Sequence, residues 1–414
     1  MSDKPVRLGF VGLGGRGSYH LDCALGMTGV EVPALCETVD SRLQQAAKWV
    51  TDSGRPAPRL YGRGPKDFER LCAEEQLDCV ICVTPWEWHT PVCLAANRNG
   101  KNAVTELPCV LTVEQAWALV ESFEKTGKWS TLALEQVLLE VSDGAYLTLF
   151  NMVHEGVLGD MVHGESGYLH DLREVKFPGG SEPWRLEHYI KRNGNLYPDH
   201  PMNRLMPMMD INHGDRFDFL VSSSSRSGTL NEYAIATLGK DHPLATTKYA
   251  QGDFNATLLH TEGGRMITLN HDTNTPHPRE LYRLQGTKGV FLEALRDGKN
   301  TWIYLDGISP TAHEWEPAGP YLEEYKHPLI KSYNPPPRQA IRGHGSGSRT
   351  PLTWYLLVKN LREGKMPYFD VYDSVTSSVI TALTEVSVGN RSRPVEFPDF
   401  TRGKWKTRGP MQFG

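Results

Sequence analysis

The chain has no cysteine after Cys109. Its seven cysteines, Cys23, Cys36, Cys72, Cys79, Cys82, Cys93 and Cys109, are odd in number and all precede residue 110. That distribution argues against a disulfide framework. Cys79 and Cys82 form a CxxC inside the apolar run DCVICV. A strand turns residues three apart to opposite faces, so the two thiols cannot pair and read as buried packing. Long apolar runs are missing as well. No window reaches the roughly 18 consecutive apolar residues that a spanning helix needs. There is no long basic run, and the net charge is −5. The electrostatic footprint of a nucleic-acid binder is therefore absent. The expectation is no nucleic-acid and no membrane partner. No basic-then-apolar leader precedes Val6, so the cytoplasm is the default location unless a leader has been trimmed. No HExxH or repeated His/Asp spacing supports a metal site.

What is present suits a soluble globular protein of two domains: 414 residues, 39% hydrophobic and 22% charged. Val6–Val11 is a short apolar run, read as a buried strand. Gly12-Leu13-Gly14-Gly15-Arg16-Gly17 follows at once, then a helical stretch to about Gly26, then VEVPALCE ending at Glu37. This is G-x-G-x-x-G between strand and helix, with an acid at the end of the next strand. Gly12, Gly14 and Gly17 permit the tight turn and a close backbone approach to a pyrophosphate. The helix start offers unpaired N–H groups to it. Glu37 is placed to accept hydrogen bonds from an adenosine ribose, which favours NAD over NADP.

Strands and helices keep alternating. Asp67–Glu75 reads as helix, Asp78–Val83 as strand, His89–Asn99 as helix, Asn102–Thr105 as strand, Thr112–Thr126 as helix and Ser130–Leu134 as strand. Alternation of this kind predicts a doubly wound parallel sheet, with ligands at the C-terminal ends of the strands. Two such ends are rich in chemistry: Thr84-Pro85-Trp86-Glu87-Trp88-His89 and Thr105-Glu106-Leu107-Pro108.

The second half begins with a helix over Ser142–Glu155. Strand patterns follow at Met161–His170, Glu232–Leu238, Phe254–Thr261, Arg265–Asn270, Tyr282–Leu284 and Gly289–Leu292. Helical patterns are sparse between Ser223 and Asn300, so a mostly antiparallel sheet is expected. Residues 305–350 are rich in Pro and Gly and read as an ordered surface excursion or a lid. Helices return at Leu352–Glu363 and Tyr372–Asn390. The predicted class is α/β: an N-terminal Rossmann domain with a doubly wound parallel sheet over residues 1–140, then an α+β domain with an open, mostly antiparallel sheet over 141–393. A tail, 394–414, is expected to pack back on the first domain.

One stretch stands out from that plan. Trp184–Asp218 packs Arg185, His188, Lys191, Arg192, Tyr197, His200 and Asp210 among Leu196, Leu205, Met206, Met208 and Met209. The mixture suits a segment that lines a polar pocket on one side and packs on the other. His200 is the best acid/base there, because imidazole titrates near neutral pH. Tyr197, three residues earlier, is placed to relay or donate the proton, and Arg185 to stabilise developing negative charge. Tyr168 and His170 are expected on opposite faces of one strand, so that at most one points inward. His213 in Asn-His-Gly-Asp reads as a turn residue.

Together these residues resemble the Gfo/Idh/MocA oxidoreductase superfamily, and within it glycoside hydrolase family 109, the NAD-dependent α-N-acetylgalactosaminidases. The resemblance is carried by GLGGRG at 12–17, TPWEWH at 84–89, HGESGYLHDLR at 163–173, WR at 184–185, RNGNLYPDH at 192–200 and DINHGDRFDFLVS at 210–222. It continues with QGTKG at 285–289, GHG at 343–345, DVYDS at 370–374 and EFPDFTRG at 396–403. It implies that Gly15, Arg16 and Glu37 hold the adenosine and pyrophosphate side of a tightly bound, recycled NAD. Trp86, Glu87, Trp88, His89, Glu106, Leu107 and Gln136 would surround the nicotinamide ribose. Tyr168, Arg185, Tyr197 and His200 would contact the sugar, with Arg279 where the family has a substrate tyrosine. The superfamily's dehydrogenases carry Glu-Lys-Pro where this chain has Glu106-Leu107-Pro108, and leucine cannot transfer a proton.

The implied activity is hydrolysis of terminal N-acetylhexosaminides, α-N-acetylgalactosamine above all, by a cycle of oxidation, elimination, addition and reduction with no net redox change. The alternatives are an NAD-dependent sugar dehydrogenase, the same mechanism on β-linked or non-acetylated sugars, and a non-catalytic NAD sensor. A homo-dimer or larger is implied by resemblance only.

Overall fold

The apolar run Val6–Val11 forms β1, buried along almost its whole length, as a central parallel strand requires. In the computed structural model, residues 4–132, 145–279, 281–293, 300–333 and 351–413 are described. They fall into two units. The first holds residues 1–136, 332–378 and 412–414, and the second holds 137–331 and 379–411.

In the first unit β2 (Val30–Cys36), β3 (Arg59–Tyr61), β4 (Cys79–Cys82), β5 (Asn102–Thr105) and β6 (Ser130–Thr131) join β1 in the order β3-β2-β1-β4-β5-β6. Every pairing is parallel, so the predicted Rossmann sheet is present. The helix Val113–Thr126 starts where its cap residue predicts: Thr112 Oγ1 accepts from Gln115 N at 3.2 Å. Gly127 ends it at φ 66°, a left-handed position that glycine adopts without a Cβ penalty.

The domain boundary read from the sequence needs correcting at its far end. Residues 332–378 belong to the first unit, not to the second. The helix Leu352–Glu363 supplies the reason. Its Trp354 is fully buried, stacks on Phe10 at 6.5 Å and donates from Nε1 to His20 Nδ1 at 3.3 Å. A buried indole needs such a partner for its N–H.

The second unit is built on β7 (Met161–Leu169), β8 (Phe217–Ser224), β9 (Asn255–Thr261), β10 (Met266–Asp272), β11 (Tyr282–Gly286), β12 (Gly289–Glu293), β13 (Thr301–Leu305), β14 (Glu316–Pro317) and β15 (Val395–Glu396). Their order is β14-β13-β12-β11-β7-β10-β9-β8-β15. All pairings are antiparallel except β7 with β10. That exception sets His271 directly opposite Tyr168.

Two expectations fail here. Glu232–Leu238 is not a strand but part of the helix Thr229–Leu238. Its buried residues, Leu230 and Ala234, are four apart, which is helical spacing. The tail does not belong to the first unit from 394 onward, but only from 412. β15 pairs with β8, and residues up to Met411 belong to the second unit. Arg408 Nη2 and the carbonyl of Gly409 meet the two ring nitrogens of His213, at 2.9 and 2.8 Å. His213 therefore anchors the tail as well as occupying a turn.

Candidate functional site

The glycine loop of the first unit divides its glycines between two tasks. A Cβ on Gly12 would lie 2.2 Å from the Val83 carbonyl oxygen, and one on Gly17 would lie 2.1 Å from the Gly12 oxygen. Gly12 also sits at φ 89°. These two are fixed by the turn itself. A Cβ on Gly15 would meet nothing within 4 Å, and one on Gly14 only the Arg42 guanidinium at 3.8 Å. These two leave the start of helix Gly15–Leu25 open, as a dinucleotide cradle requires. Glu37 stands at the end of β2 and is tied to that loop. Its Oε2 accepts from Leu13 N at 2.8 Å, and its Oε1 accepts from Thr38 N and Val39 N at 2.7 and 3.0 Å. Thr38 Oγ1 also donates to Oε1, at 3.2 Å, whereas Oε2 accepts only from Leu13 N among the described residues, so one of its two lone pairs is left for a ribose hydroxyl. The residues present fit the cofactor.

The other predicted cofactor residues divide by what already holds them. Glu106 Oε1 takes Arg16 Nε at 2.7 Å and His20 Nε2 at 2.8 Å, so Arg16 is engaged with a carboxylate beside the loop. His89 is buried, with Nδ1 2.7 Å from Pro108 O and Nε2 2.8 Å from Thr84 O. Burial lowers its pKa, against the pull of those two carbonyls. It clamps the loops rather than presenting a ring nitrogen. Trp86 is buried, Trp88 is half-buried with its edge on Phe68 at 6.1 Å, and Glu87 is exposed. Leu107 is buried at the end of β5. Gln136 and Gly343-His344-Gly345 lie outside the described residues.

In the second unit the structure brings the predicted sugar-contacting residues together. Four near-parallel rings stack in the order His200, Tyr168, Tyr197, His271. Their centroids are 4.6, 4.7 and 5.7 Å apart, with interplanar angles of 10°, 19° and 10°. Such pairs add about 0.5–1.5 kcal/mol each beyond area burial. Tyr168 comes from β7 and His271 from β10. Tyr197 precedes the helix Asp199–Met208, and His200 lies in its first turn. Arg185, at the start of helix Arg185–Lys191, donates from Nη1 to the Tyr197 hydroxyl at 2.6 Å and pairs through Nε with Glu182. Burial works against the Arg185 charge, but Tyr197 and Glu182 outweigh it, so its pKa is raised. Burial also raises the pKa of Tyr197, with Arg185 opposing. The Arg279 guanidinium lies 5.7 Å from the Tyr168 ring centroid.

Tyr168 and His170 do not face opposite ways. The Tyr168 hydroxyl meets His170 Nδ1 at 3.1 Å. Residues two apart in an extended chain share a face, which the sequence reading missed.

Asp171 and Asp199 lie at this end of the sheet, whereas Asp210 and Asp215 lie beside Arg265 and Gly263, at the opposite end of β10 from His271. Asp171 is held by the Arg173 guanidinium at 2.9 and 2.7 Å. Asp210 takes His154 and Arg265, each at 3.2 Å. Asp215 accepts from Thr261 Oγ1 and from the backbone of Gly263 and Arg216. Asp199 is fully buried.

Sequence reasoning missed two residues that bear on the cluster. His271 is 1% exposed, and neither ring nitrogen has a hydrogen-bond partner among the described residues. Burial, with Lys176 adding to it, pushes its pKa down to about 3. Lys176 is fully buried, its ammonium nitrogen 3.8 Å from the Tyr189 ring centroid. Neither carries a local signal, because both act through contacts formed only when β10 and its following turn are in place.

Comparison with known proteins gives this arrangement a class. Residues 6–133 match the profile of the oxidoreductase family, NAD-binding Rossmann fold. The first unit is thus an NAD-binding Rossmann domain of the Gfo/Idh/MocA type. Solved structures share the fold. One is an oxidoreductase domain protein from Kribbella flavida, with a TM-score of 0.71 at 18% identity over 95% of this chain and 100% of that one. Another is levoglucosan dehydrogenase in complex with NADH and levoglucosan, with a TM-score of 0.68 at 16% identity, again over 95% and 100%. Residues 144–407 match the C-terminal domain of glycosyl hydrolase 109. The chain is 38% identical over 413 residues to a glycosyl hydrolase family 109 protein of Shewanella pealeana, covering 98% of this chain and 88% of the relative. With the corresponding protein of Shewanella putrefaciens it shares 37% over 414 residues, 98% and 87% of the two chains. This protein belongs to glycoside hydrolase family 109.

Proposed function

We propose that the protein removes terminal N-acetylhexosaminides, α-N-acetylgalactosamine foremost, from small glycosides or glycan ends. It would do so with a tightly held NAD that is regenerated in each turnover. Backbone N–H groups at Gly14, Gly15 and Arg16 would hold the pyrophosphate and Glu37 the adenosine ribose. Trp86, Trp88, Glu106 and Leu107 would wall the nicotinamide side. When bound, the cofactor supplies a transient oxidation at C3 of the sugar and its reversal, which makes the C2 proton acidic. The rest is proton transfer: taking the C3 hydroxyl proton, taking the C2 proton, protonating the departing C1 substituent and activating the water that replaces it.

The observation that carries this reading is the Arg185–Tyr197 pair at 2.6 Å inside the ring stack. A cation held on a buried phenol hydroxyl favours the phenolate and stabilises negative charge developing on the sugar. Half-buried His200, the most accessible ring of the stack, exchanges protons with substrate and water. An ordinary glycosidase needs two free carboxylates about 5–9 Å apart. At this end of the sheet Asp171 is instead bound to Arg173, Glu182 to Arg185, and Asp272 to the backbone of Asn274 and Thr275. Leu107, buried where a dehydrogenase carries lysine, adds no proton group.

The test is hydrolysis of aryl α-N-acetylgalactosaminide in deuterated water, beside a panel of both anomers with and without the acetamido group. Deuterium at C2 of the released sugar is expected. Hydrolysis without it rejects the elimination route. Steady accumulation of NADH with free sugars would instead identify a dehydrogenase. The assembly is proposed to be a homo-dimer or larger.

A further inference from the structure

Glu106 is held from behind by a part of the chain far away in sequence. The links all lie within the first unit. Trp354, on the helix Leu352–Glu363, donates from Nε1 to His20 Nδ1 at 3.3 Å. His20, on the helix Gly15–Leu25, meets Glu106 Oε1 through Nε2 at 2.8 Å. Arg16, one turn earlier on that helix, donates from Nε to the same oxygen at 2.7 Å. Its guanidinium lies 5.1 Å from the Tyr19 ring centroid. Trp354 and His20 are buried, and the Glu106 side chain is 14% exposed, so the link runs from the core to the edge of the site.

The two ends of this link decide where the hydrogens sit. An indole N–H only donates, and an ionised carboxylate only accepts. His20 Nδ1 is therefore the bare nitrogen and Nε2 the protonated one. Any form with a hydrogen on Nδ1 opposes the indole N–H. Trp354 is itself fixed in place. It stacks on Phe10 at an interplanar angle of 17°, and its ring centroid is 5.9 Å from that of His20. Two donors, Arg16 Nε and His20 Nε2, thus reach Glu106 Oε1 from one helix and set the rotamer of the carboxylate. A group ordered in advance costs less to order when a ligand arrives.

We propose that His20 and Trp354 are positioning residues for the nicotinamide end of the cofactor. The indole sets the His20 tautomer, and the Nε2–H so fixed holds Glu106 beside Arg16 in the rotamer that meets the nicotinamide ribose. The inference rests on Glu106 walling that side of the site, as in the proposed function. Both residues are buried and act through Glu106 rather than on the cofactor. The helix Leu352–Glu363, which returns to the first unit late in the chain, thereby becomes part of the frame of the cofactor site.

The test separates the two nitrogens of His20. A Gln amide reaches the place of Nε2 and donates to Glu106, whereas an Asn amide reaches only the place of Nδ1 and serves Trp354. Dissociation constants are measured on the full chain for NAD and for ADP, which lacks the nicotinamide ribose. His20→Asn is expected to weaken NAD about tenfold, the scale of one lost hydrogen bond to a charged group, with ADP nearly unchanged. His20→Gln should restore most of the NAD affinity. Trp354→Phe, which keeps a ring against Phe10, should weaken NAD by a smaller factor, again sparing ADP. Equal losses for NAD and ADP, or tighter NAD binding by His20→Asn than by His20→Gln, mark a purely structural role and overturn the inference. A second measurement needs no ligand. In protein with isotope-labelled histidine nitrogens, the NMR signals missing from His20→Gln should show a bare Nδ1 and a protonated Nε2. A protonated Nδ1 overturns the inference. If Trp354→Phe does not fold, the His20 variants and the tautomer decide. Glu106→Ala tests the underlying reading. NAD weakened there but not in His20→Asn rejects the inference and leaves Glu106 its place. NAD binding unchanged in Glu106→Ala removes Glu106 from the site and the inference with it. A wild type that binds NAD but is inactive on every glycoside rejects the proposed hydrolysis alone, and the binding constants still decide the role of His20.

Discussion

His271 gives the most direct quantitative test of the ring stack. Its nitrogens are buried without hydrogen-bond partners among the described residues, and its pKa is pushed down to about 3, against an ordinary 6.5. The unfolded chain binds a proton through the intervening range and the folded chain does not. Stability from this site is therefore complete above about pH 6.5 and is lost as pH falls toward about 3. At pH 5 the site has given up about 1.5 units, or about 2 kcal/mol at roughly 1.36 kcal/mol per unit. His271→Phe keeps a ring against Tyr197 and removes the titration. The larger ring costs about 1–3 kcal/mol of overpacking, but that cost does not depend on pH. Other titrating groups are common to both proteins and cancel. Urea unfolding of wild type and variant at pH 8 and pH 5 should thus show the variant gaining about 2 kcal/mol on the wild type as pH falls. In melting temperature this is about 4–8 °C for a unit of this size. Parallel stability curves across that range would refute the reasoning, and would mean that the imidazole is hydrated or paired in solution.

Further outcomes follow from the same geometry. Gly15→Ala should leave the melting temperature of the NAD-free protein nearly unchanged, since its Cβ meets nothing within 4 Å, yet lower the NAD content of the purified protein. Gly12→Ala, with its Cβ 2.2 Å from a carbonyl oxygen, should lower the melting temperature even without NAD. Arg185→Ala should cut kcat about 10²–10³-fold, the usual cost of one donor to developing negative charge. Rescue by Arg185→Lys should be partial, because lysine lacks the planar fork. Burial pushes Cys82 up to about 11 and Cys36 and Cys72 up to about 12. A disulfide thiol reagent at pH 8 should therefore titrate no thiols in the folded protein and seven in denaturant. Fast labelling of the folded chain would contradict that burial.

Legibility in the sequence tracked how local each feature is. The glycine loop, the strands β1, β2, β4, β5 and β6 and the Thr112 cap depend on neighbours within a few residues, and all are present; the three-residue β3 and the helix Asp40–Asp52 before it were missed. The Tyr197/His200 pair was visible because both residues sit in one short segment. His271 and Lys176 were not, because each gains its role from the register of β7 on β10 and from the turn after β10. The assignment of residues 332–378 to the first unit was hidden for a related reason. Linear order favours continuation, and only the burial of Trp354 against Phe10 and His20 shows where the chain has gone. The opposite-face reading of Tyr168 and His170 failed on simple parity. The helix Thr229–Leu238 was missed because its few buried residues left a weak period.

The lone parallel pair in the second sheet also governs how this protein can diversify. In a hairpin, lengthening the turn shifts the register and flips side chains to the other face. Strands β7 and β10 are instead joined by a long crossover carrying Arg185, Tyr197, His200 and two further strands. Residues can be inserted into its exposed loops, such as that around Gly179, while Tyr168 stays opposite His271. Loop-length libraries placed there would vary what the stack recognises and leave its floor unmoved.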